Sequence, residues 1–228
     1  MAESDDIRVV AEKLFAMKDG AQADLKALHD YLNGEPTNTP WFFNTITALL
    51  RAIGREYHHL NIGYEKTGRV LSWAARNLME IDIFTEYVLK SKDNAKRFSE
   101  DQFIDALDIF SSFKAWIIGG EPNSTTPLLD LTIAEMERVK SQQGITRTKY
   151  LRTEDIAKSL NRLDEYKHFN KVASKLIHPT AWSLFAVQEE SELLMLKPYL
   201  YRTGTFHFTA TYSAIREHVQ TRGTEPPP

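Results

Sequence analysis

The sequence predicts an all-α protein: a single-domain helical bundle of about eight helices. Three observations carry this. Apolar residues recur at three- and four-residue spacing in almost every segment, with no convincing pair of alternating stretches for a hairpin. Proline and glycine gather in short breaks between those segments. One segment, GRVLSWAARNLMEIDIFTEYVL, is apolar most of the way round, as a central helix is.

The elements are taken in chain order. Ser4 is a candidate cap, Asp5 and Asp6 lie in the first turn, and Val10, Leu14 and Met17 set a helix over about 4–18. Gly20 separates it from a helix over about 21–33 carrying Leu25, Leu28 and Leu32. GEPTNTP, 34–40, is a loop. The third helix has Asn38 or Thr39 as cap and Pro40 at its first position. Its stripe is Phe42, Ile46, Leu49, Ile53, Tyr57 and Leu60. Glu56 lies inside that arc, where a carboxylate must be paired, protonated or at a wet end.

The fourth helix spans about 66–91. Val70, Leu71, Trp73, Ala74, Leu78, Ile81, Phe84 and Val88 form its arc, with Asn77 inside it and Arg76 and Glu80 along its edge. Ser99 and Gln102 give a capping box for a fifth helix, about 99–117. GGEPNSTTP, 119–127, is the clearest break, and a weaker helix comes after it over 127–142. TRTKYLR is a short basic loop. A helix from Thr153 to about Ile177 is next, ended by His178-Pro179. Residues 180–196 read as a further helix, broken by Pro198 and Gly204. Phe208, Tyr212, Ile215 and Val219 suit a last helix, although TGTFHFT alone also suits a strand. The domain is expected over 1–220, its core about 41–196, with 221–228 as a disordered tail. The central bundle is expected from 41–60, 66–91, 99–117 and 153–177.

Charge is balanced: 28 Lys+Arg against 31 Asp+Glu give a net charge of −3, which argues against non-specific nucleic-acid binding by the chain as a whole. The absence of cysteine excludes disulfides, thiol catalysis and thiolate metal sites. No apolar run is long enough to span a membrane, and the acidic N-terminus lacks a signal-peptide core. The expectation is a cytoplasmic protein without membrane contact. There is no P-loop, G-x-G-x-x-G, H-E-x-x-H or G-x-S-x-G, so no cofactor is expected.

The least ordinary stretch is EYKHFNKVASKLIHPTAWSLF, 165–185. Ile156, Leu160 and Leu163 share one face, and at 100° per residue that face continues through Asn170, Ser174 and His178. The ordinary reading is a polar end of a core helix, its groups satisfied internally. The sharper reading is a site with His178 as general acid/base and Asn170 and Ser174 as orienting donors. Arg76 and Glu80 read either as an i,i+4 pair or as the polar edge of a pocket shared with His178. Arg147, Lys149 and Arg152, with Arg138 and Lys140 upstream, read as a solvated cluster or as contacts to RNA phosphates. Two Glu-x-x-His pairs, Glu56/His59 and Glu165/His168, suggest a di-iron site, but Glu165 and His168 project away from their helix's apolar face. No metal is expected.

VLSWAARNLMEIDIFTEYVL, with YKHFNKVASKLIHPTAW about ninety residues further on, resembles the HEPN-type helical domains. It is most similar to uncharacterised bacterial relatives in which an R-x-x-x-E helix faces a helix ending in S-x-x-x-H-P. The resemblance covers about 66–185. It implies a protein of bacterial stress, toxin–antitoxin or phage-defence systems, with metal-independent ribonuclease activity in many members. The family motif is an arginine, often followed by a polar residue, then histidine after four to six intervening residues. His178 matches that histidine, and no arginine precedes it at that spacing. Lys171, with six residues between, or Arg76 from the neighbouring helix is left to supply the cation. On this reading His178, Asn170, Ser174, Arg76 and Glu80 are catalytic and Lys171, Lys175 and Tyr166 bind substrate. The implied partners are RNA, a protein partner or antitoxin, and a second copy in a homodimer. The alternative is a non-catalytic helical binding module.

Overall fold

The structure is a computed structural model that describes residues 6–34, 37–118, 126–178 and 190–228. The described residues form nine helices and no strand: α1 (Ile7–Ala16), α2 (Lys18–Gly34), α3 (Pro40–Lys66), α4 (Gly68–Lys90), α5 (Lys92–Ile118), α6 (Thr126–Gln142), α7 (Thr153–Ser159), α8 (Leu163–Ile177) and α9 (Glu190–Arg222). The all-α expectation is met. The Ser4 cap, the break at 119–125 and most of the 180–196 helix lie outside the described residues. Asp6 caps α1, its carboxylate accepting from Arg8 N–H at 3.0 Å. The chain falls into two units, residues 1–95 with 153–228, and residues 96–152.

In the first unit α4 is the centre, packed against α3, α8 and α9. Every residue of the predicted α3 stripe is buried, from Phe42 to Leu60. On α4 the burial goes further round than the predicted arc: Met79 and Ile83 are fully buried, whereas Trp73 is exposed. Thr67 alone separates α3 from α4. Gly63 allows that approach, since a Cβ there would lie 2.3 Å from the Leu71 backbone nitrogen.

Three expectations about elements are corrected. α5 starts at Lys92, so Ser99 is inside the helix, and from Lys96 onward it belongs to the second unit; it is not a member of the central bundle. That place is taken by α9, which runs straight through Pro198 and Gly204. Gly204 is a packing residue: a Cβ on it would sit 2.5 Å from Leu60 Cδ1 and 3.3 Å from Ala75 Cα, so its lack of a side chain lets α9 lie close on α3 and α4. Tyr57 stacks on Phe208 with centroids 4.0 Å apart, and Tyr201 donates to Asn61 Oδ1 at 2.6 Å, fixing α9 to α3. Burial pushes the Tyr201 hydroxyl well above its ordinary range, with Tyr57 and Tyr64 adding to it.

The third correction concerns 153–177, which is two helices. Asn161 adopts the left-handed conformation at φ 60°, and Arg162 N–H reaches back to Ala157 O at 2.8 Å. This is the helix stop that asparagine tolerates best after glycine. The expected tail is also different: the chain is described to Pro228 and folds back. Thr39 Oγ1 donates to Glu225 Oε2 at 3.0 Å, and His218 Nε2 to the Glu225 carbonyl at 2.8 Å. Prolines fix the dihedrals of the last residues, which lowers the cost of ordering them.

In the second unit α5 and α6 are antiparallel. Lys114 pairs with Asp130 at one end, and at the other Asp101 accepts from Arg147 Nη1 at 3.2 Å and from Leu151 N–H at 2.8 Å. Arg147 Nη2 also donates to the Arg97 carbonyl at 2.7 Å. Arg138 is bound to Glu135 within α6. These two arginines of the basic cluster are therefore engaged inside the unit.

Candidate functional site: an ionic centre beside a pocket

The helix stop at Asn161 sets the direction in which α8 leaves α7. Arg162 becomes the N-terminal flank of α8 and turns its side chain onto α4. Its Nη2 lies 2.7 Å from Asp82 Oδ2, its Nη1 3.0 Å from Glu86 Oε2, and its Nε 2.8 Å from Glu165 Oε2. Asp82 also accepts from His207 Nδ1 at 2.9 Å and from Thr211 Oγ1 at 3.4 Å, both on α9. His207 Nε2 is 3.6 Å from Glu165 Oε1. One buried carboxylate thus ties α4, α8 and α9 together. Burial works against the Arg162 charge. Its hydrogen bond to Glu165 and the Asp82 carboxylate outweigh that, and hold the guanidinium well above its ordinary range.

Beside this centre lies a pocket of about 660 Å³. Asp82, Glu86 and Leu89 line it from α4 at i, i+4 and i+7, with Lys90 at the same end. Phe206, Ala210 and Ala214 line it from α9 at i, i+4 and i+8, and Arg162 and Glu165 complete it. The hollow has a cause in the sequence: two alanines stand on α9 where longer side chains would fill the space against α4. Its volume falls among small-ligand sites, which run from about 300 to 1,000 Å³.

The predicted site residues do not meet there. His178 ends α8 in extended backbone, as the proline after it requires, and is exposed. The helical phase that pointed it inward is lost at Asn161. Asn170 and Ser174 are half-buried and bonded to each other at 3.2 Å. Lys171 and Lys175 are exposed, and Tyr166 is half-buried. Arg76 pairs with Glu80 at 3.0 Å within α4. At about 100° per residue that pair lies roughly 120° round the helix from Asp82 and Glu86. It is on the side where Asn77 Nδ2 donates to buried Glu56 at 3.1 Å, which answers the pairing that Glu56 required. Glu56 also accepts from Arg55 at 3.1 Å, and His59 Nδ1 is 3.5 Å away. Glu165, of the second Glu-x-x-His pair, is bound to Arg162.

Sequence reasoning missed Asp82, Arg162 and His207. Asp82 had a signal, since it falls in register with Leu71, Ala75 and Leu78, where a carboxylate demands a partner. His207 had another: Arg202 precedes it with four residues between, the spacing of the HEPN motif. In the structure that spacing separates the two side chains around α9, leaving Arg202 exposed and His207 buried.

An ionic pillar joining three helices, with a pocket at its side, defines an all-helical protein with a small-ligand-sized site. The chain belongs to a family of unknown function (DUF5677), whose model matches residues 73–192. Asp82, Glu86, Arg162 and Glu165 lie within the match, and His207 lies beyond it. No curated protein and no solved structure matches the chain.

Proposed function

We propose that the chain is a HEPN-like helical binding protein whose pocket beside Arg162 takes a cationic group carried on an apolar body. The observation behind this reading is that Arg162 gives four of its five N–H donors to the carboxylates of Asp82, Glu86 and Glu165. A guanidinium so occupied cannot offer a phosphate the two parallel donors of a bidentate fork. Three carboxylates against Arg162 and Lys90 leave one net negative charge in the lining, and Glu86 and Glu165 are 48% and 41% exposed at the pocket mouth. Leu89, Phe206, Ala210 and Ala214 offer the apolar wall. The HEPN-like part of the reading draws support from the packing of α4, the R-x-x-x-E helix, against α8, the S-x-x-x-H-P helix.

Calorimetric titration with butylammonium and butylguanidinium tests the reading. The expected result is saturable binding, weakened about tenfold by Glu86→Gln, the loss of roughly one charged hydrogen bond, and abolished by Ala210→Leu, which fills the pocket. No binding, or binding indifferent to both substitutions, contradicts it.

A second reading is an RNA-cleaving effector of bacterial stress or phage defence. The Arg202–His207 spacing favours it. On that reading purified protein cleaves RNA in the presence of a chelator, and His207→Ala or His178→Ala abolishes the cleavage; absence of cleavage by the unaltered protein removes it.

A further inference from the structure

Another hollow lies on the far side of α9, where α1 and α2 meet α3 and α9. It holds about 480 Å³, again within the range of small-ligand sites. Thr205, Phe208 and Thr209 line it from α9 at i, i+3 and i+4, and Tyr57 lines it from α3. That α9 stripe stands roughly 150° round the helix from Phe206, Ala210 and Ala214, so the two hollows are separate. The space has a cause in the sequence. Ala16, Gly20 and Ala21 stand where larger residues would reach across, and a Cβ on Gly20 would meet nothing within 4 Å. Gly20 costs α2 stability and gives no close packing in return. What it leaves is room.

Tyr57, Thr205 and Phe208, all buried, make the floor. Thr205 is only 7% exposed, and its Oγ1 makes no hydrogen bond among the described residues. A helical threonine can satisfy its hydroxyl on the carbonyl four residues back. Thr45, Thr47, Thr132 and Thr221 all do so. Thr205 does not, so its hydroxyl is turned off the helix backbone. The Tyr201 hydroxyl adjoins it, but the one proton there goes to Asn61 Oδ1 at 2.6 Å. Asn61 Nδ2, in the same cluster, is also without an acceptor. Buried polar groups are paired as a rule. This cluster is short of a hydrogen-bonding group, and open space lies beside it.

We infer that this hollow binds a small neutral phenol, its ring against Phe208 and Met17 and its hydroxyl proton given to Thr205 Oγ1. The rim sets the charge of what enters. Asp24 is exposed there and no cation lines the hollow, so an anion is turned away. The walls set the shape. Phe208, held flat on Tyr57, and the Met17 thioether, 68% exposed at the rim, are partners that a flat ring packs against well. A phenol brings the one group that the floor lacks, a strong donor on an apolar body. The site does not depend on the reading of the pocket beside Arg162.

The test is fluorine magnetic resonance on the full chain, with 4-fluorophenol, fluorobenzene and 4-fluorobenzoate as probes. It is run near neutral pH, where a phenol with a pKa of about 10 keeps its proton. The expected result is saturable binding of the phenol, about fivefold tighter than fluorobenzene, the worth of one neutral hydrogen bond, and none of the benzoate. Thr205→Val keeps the shape and removes the hydroxyl. It is expected to bring the phenol down to the affinity of fluorobenzene. It is also expected to raise the melting temperature of the free protein, because an unpaired buried group is gone. Gly20→Leu fills the hollow and is expected to abolish binding of both, with the helical circular dichroism unchanged. Absence of saturable phenol binding, or equal affinity for phenol and fluorobenzene or for phenol and benzoate, overturns the inference. So does a preference for the phenol that survives in Thr205→Val, or binding that Gly20→Leu leaves intact.

Discussion

Arg162 answers to three carboxylates at once, and the burial of Asp82 makes the arrangement brittle. Removing the guanidinium leaves Asp82 buried with only His207 and Thr211 as partners. Arg162→Ala is therefore expected to destabilise the fold by about 3 kcal/mol, as losing one partner of a buried pair does. Denaturant titration measures this. Asp82→Asn keeps the shape and part of the hydrogen bonding, so its cost is expected to be smaller, and the double variant is expected to cost less than the two singles added. Equal, additive losses would mean that the two groups do not depend on each other. At this scale the sequence was half legible. Asp82 stood in the buried register of α4. Arg162 was hidden because one asparagine in left-handed backbone resets the direction of every side chain after it. His178 was misplaced for the same reason: its inward projection assumed an unbroken helix.

Among the elements, the close joints depend on glycine where packing is tight and gain nothing from it elsewhere. Gly63 faces the backbone of Leu71, which cannot swing aside as a side chain can. Gly63→Ala is expected to cost about 3 kcal/mol or more through overpacking. Gly20, inside α2, has nothing within 4 Å of its absent Cβ. Gly20→Ala is expected to stabilise by about 0.5–1 kcal/mol. Thermal melting of the two variants should give shifts of opposite sign; a matching sign refutes the α3–α4 joint as described. The strong helices were legible in their stripes, α3 most fully. α9 was not, because proline and glycine read as punctuation from sequence alone. Gly204 is instead a contact surface, something only a facing helix reveals.

For the molecule as a whole, the return of the C-terminus onto α9 gives stability a pH dependence. Burial, aided by the charge of Arg222, pushes the His218 imidazole below its ordinary range, against the opposing hydrogen bond to the Glu225 carbonyl. A histidine with a lowered folded pKa binds its proton more readily when unfolded. Its contribution is complete above the unfolded value of about 6.5 and is lost as pH falls. Urea titrations at pH 8 and pH 5.5 should show wild type losing more stability on acidification than His218→Gln; equal losses would exclude the tail contact as the cause. The fold class was legible at this scale because helical periodicity is repeated in almost every segment. The pocket was not, since it arises from two alanines on one helix opposite carboxylates more than a hundred residues away.

The central claim, that the pocket beside Arg162 receives positive charge rather than phosphate, is tested most directly by nuclear magnetic resonance. Backbone amide spectra are recorded during titration with butylammonium and, separately, with a dinucleotide RNA. The expected result is saturable shifts confined to Asp82–Lys90, Arg162–Glu165 and Phe206–Ala214 with the cation, and none there with the RNA. Shifts in those segments with RNA, and their absence with the cation, would contradict it.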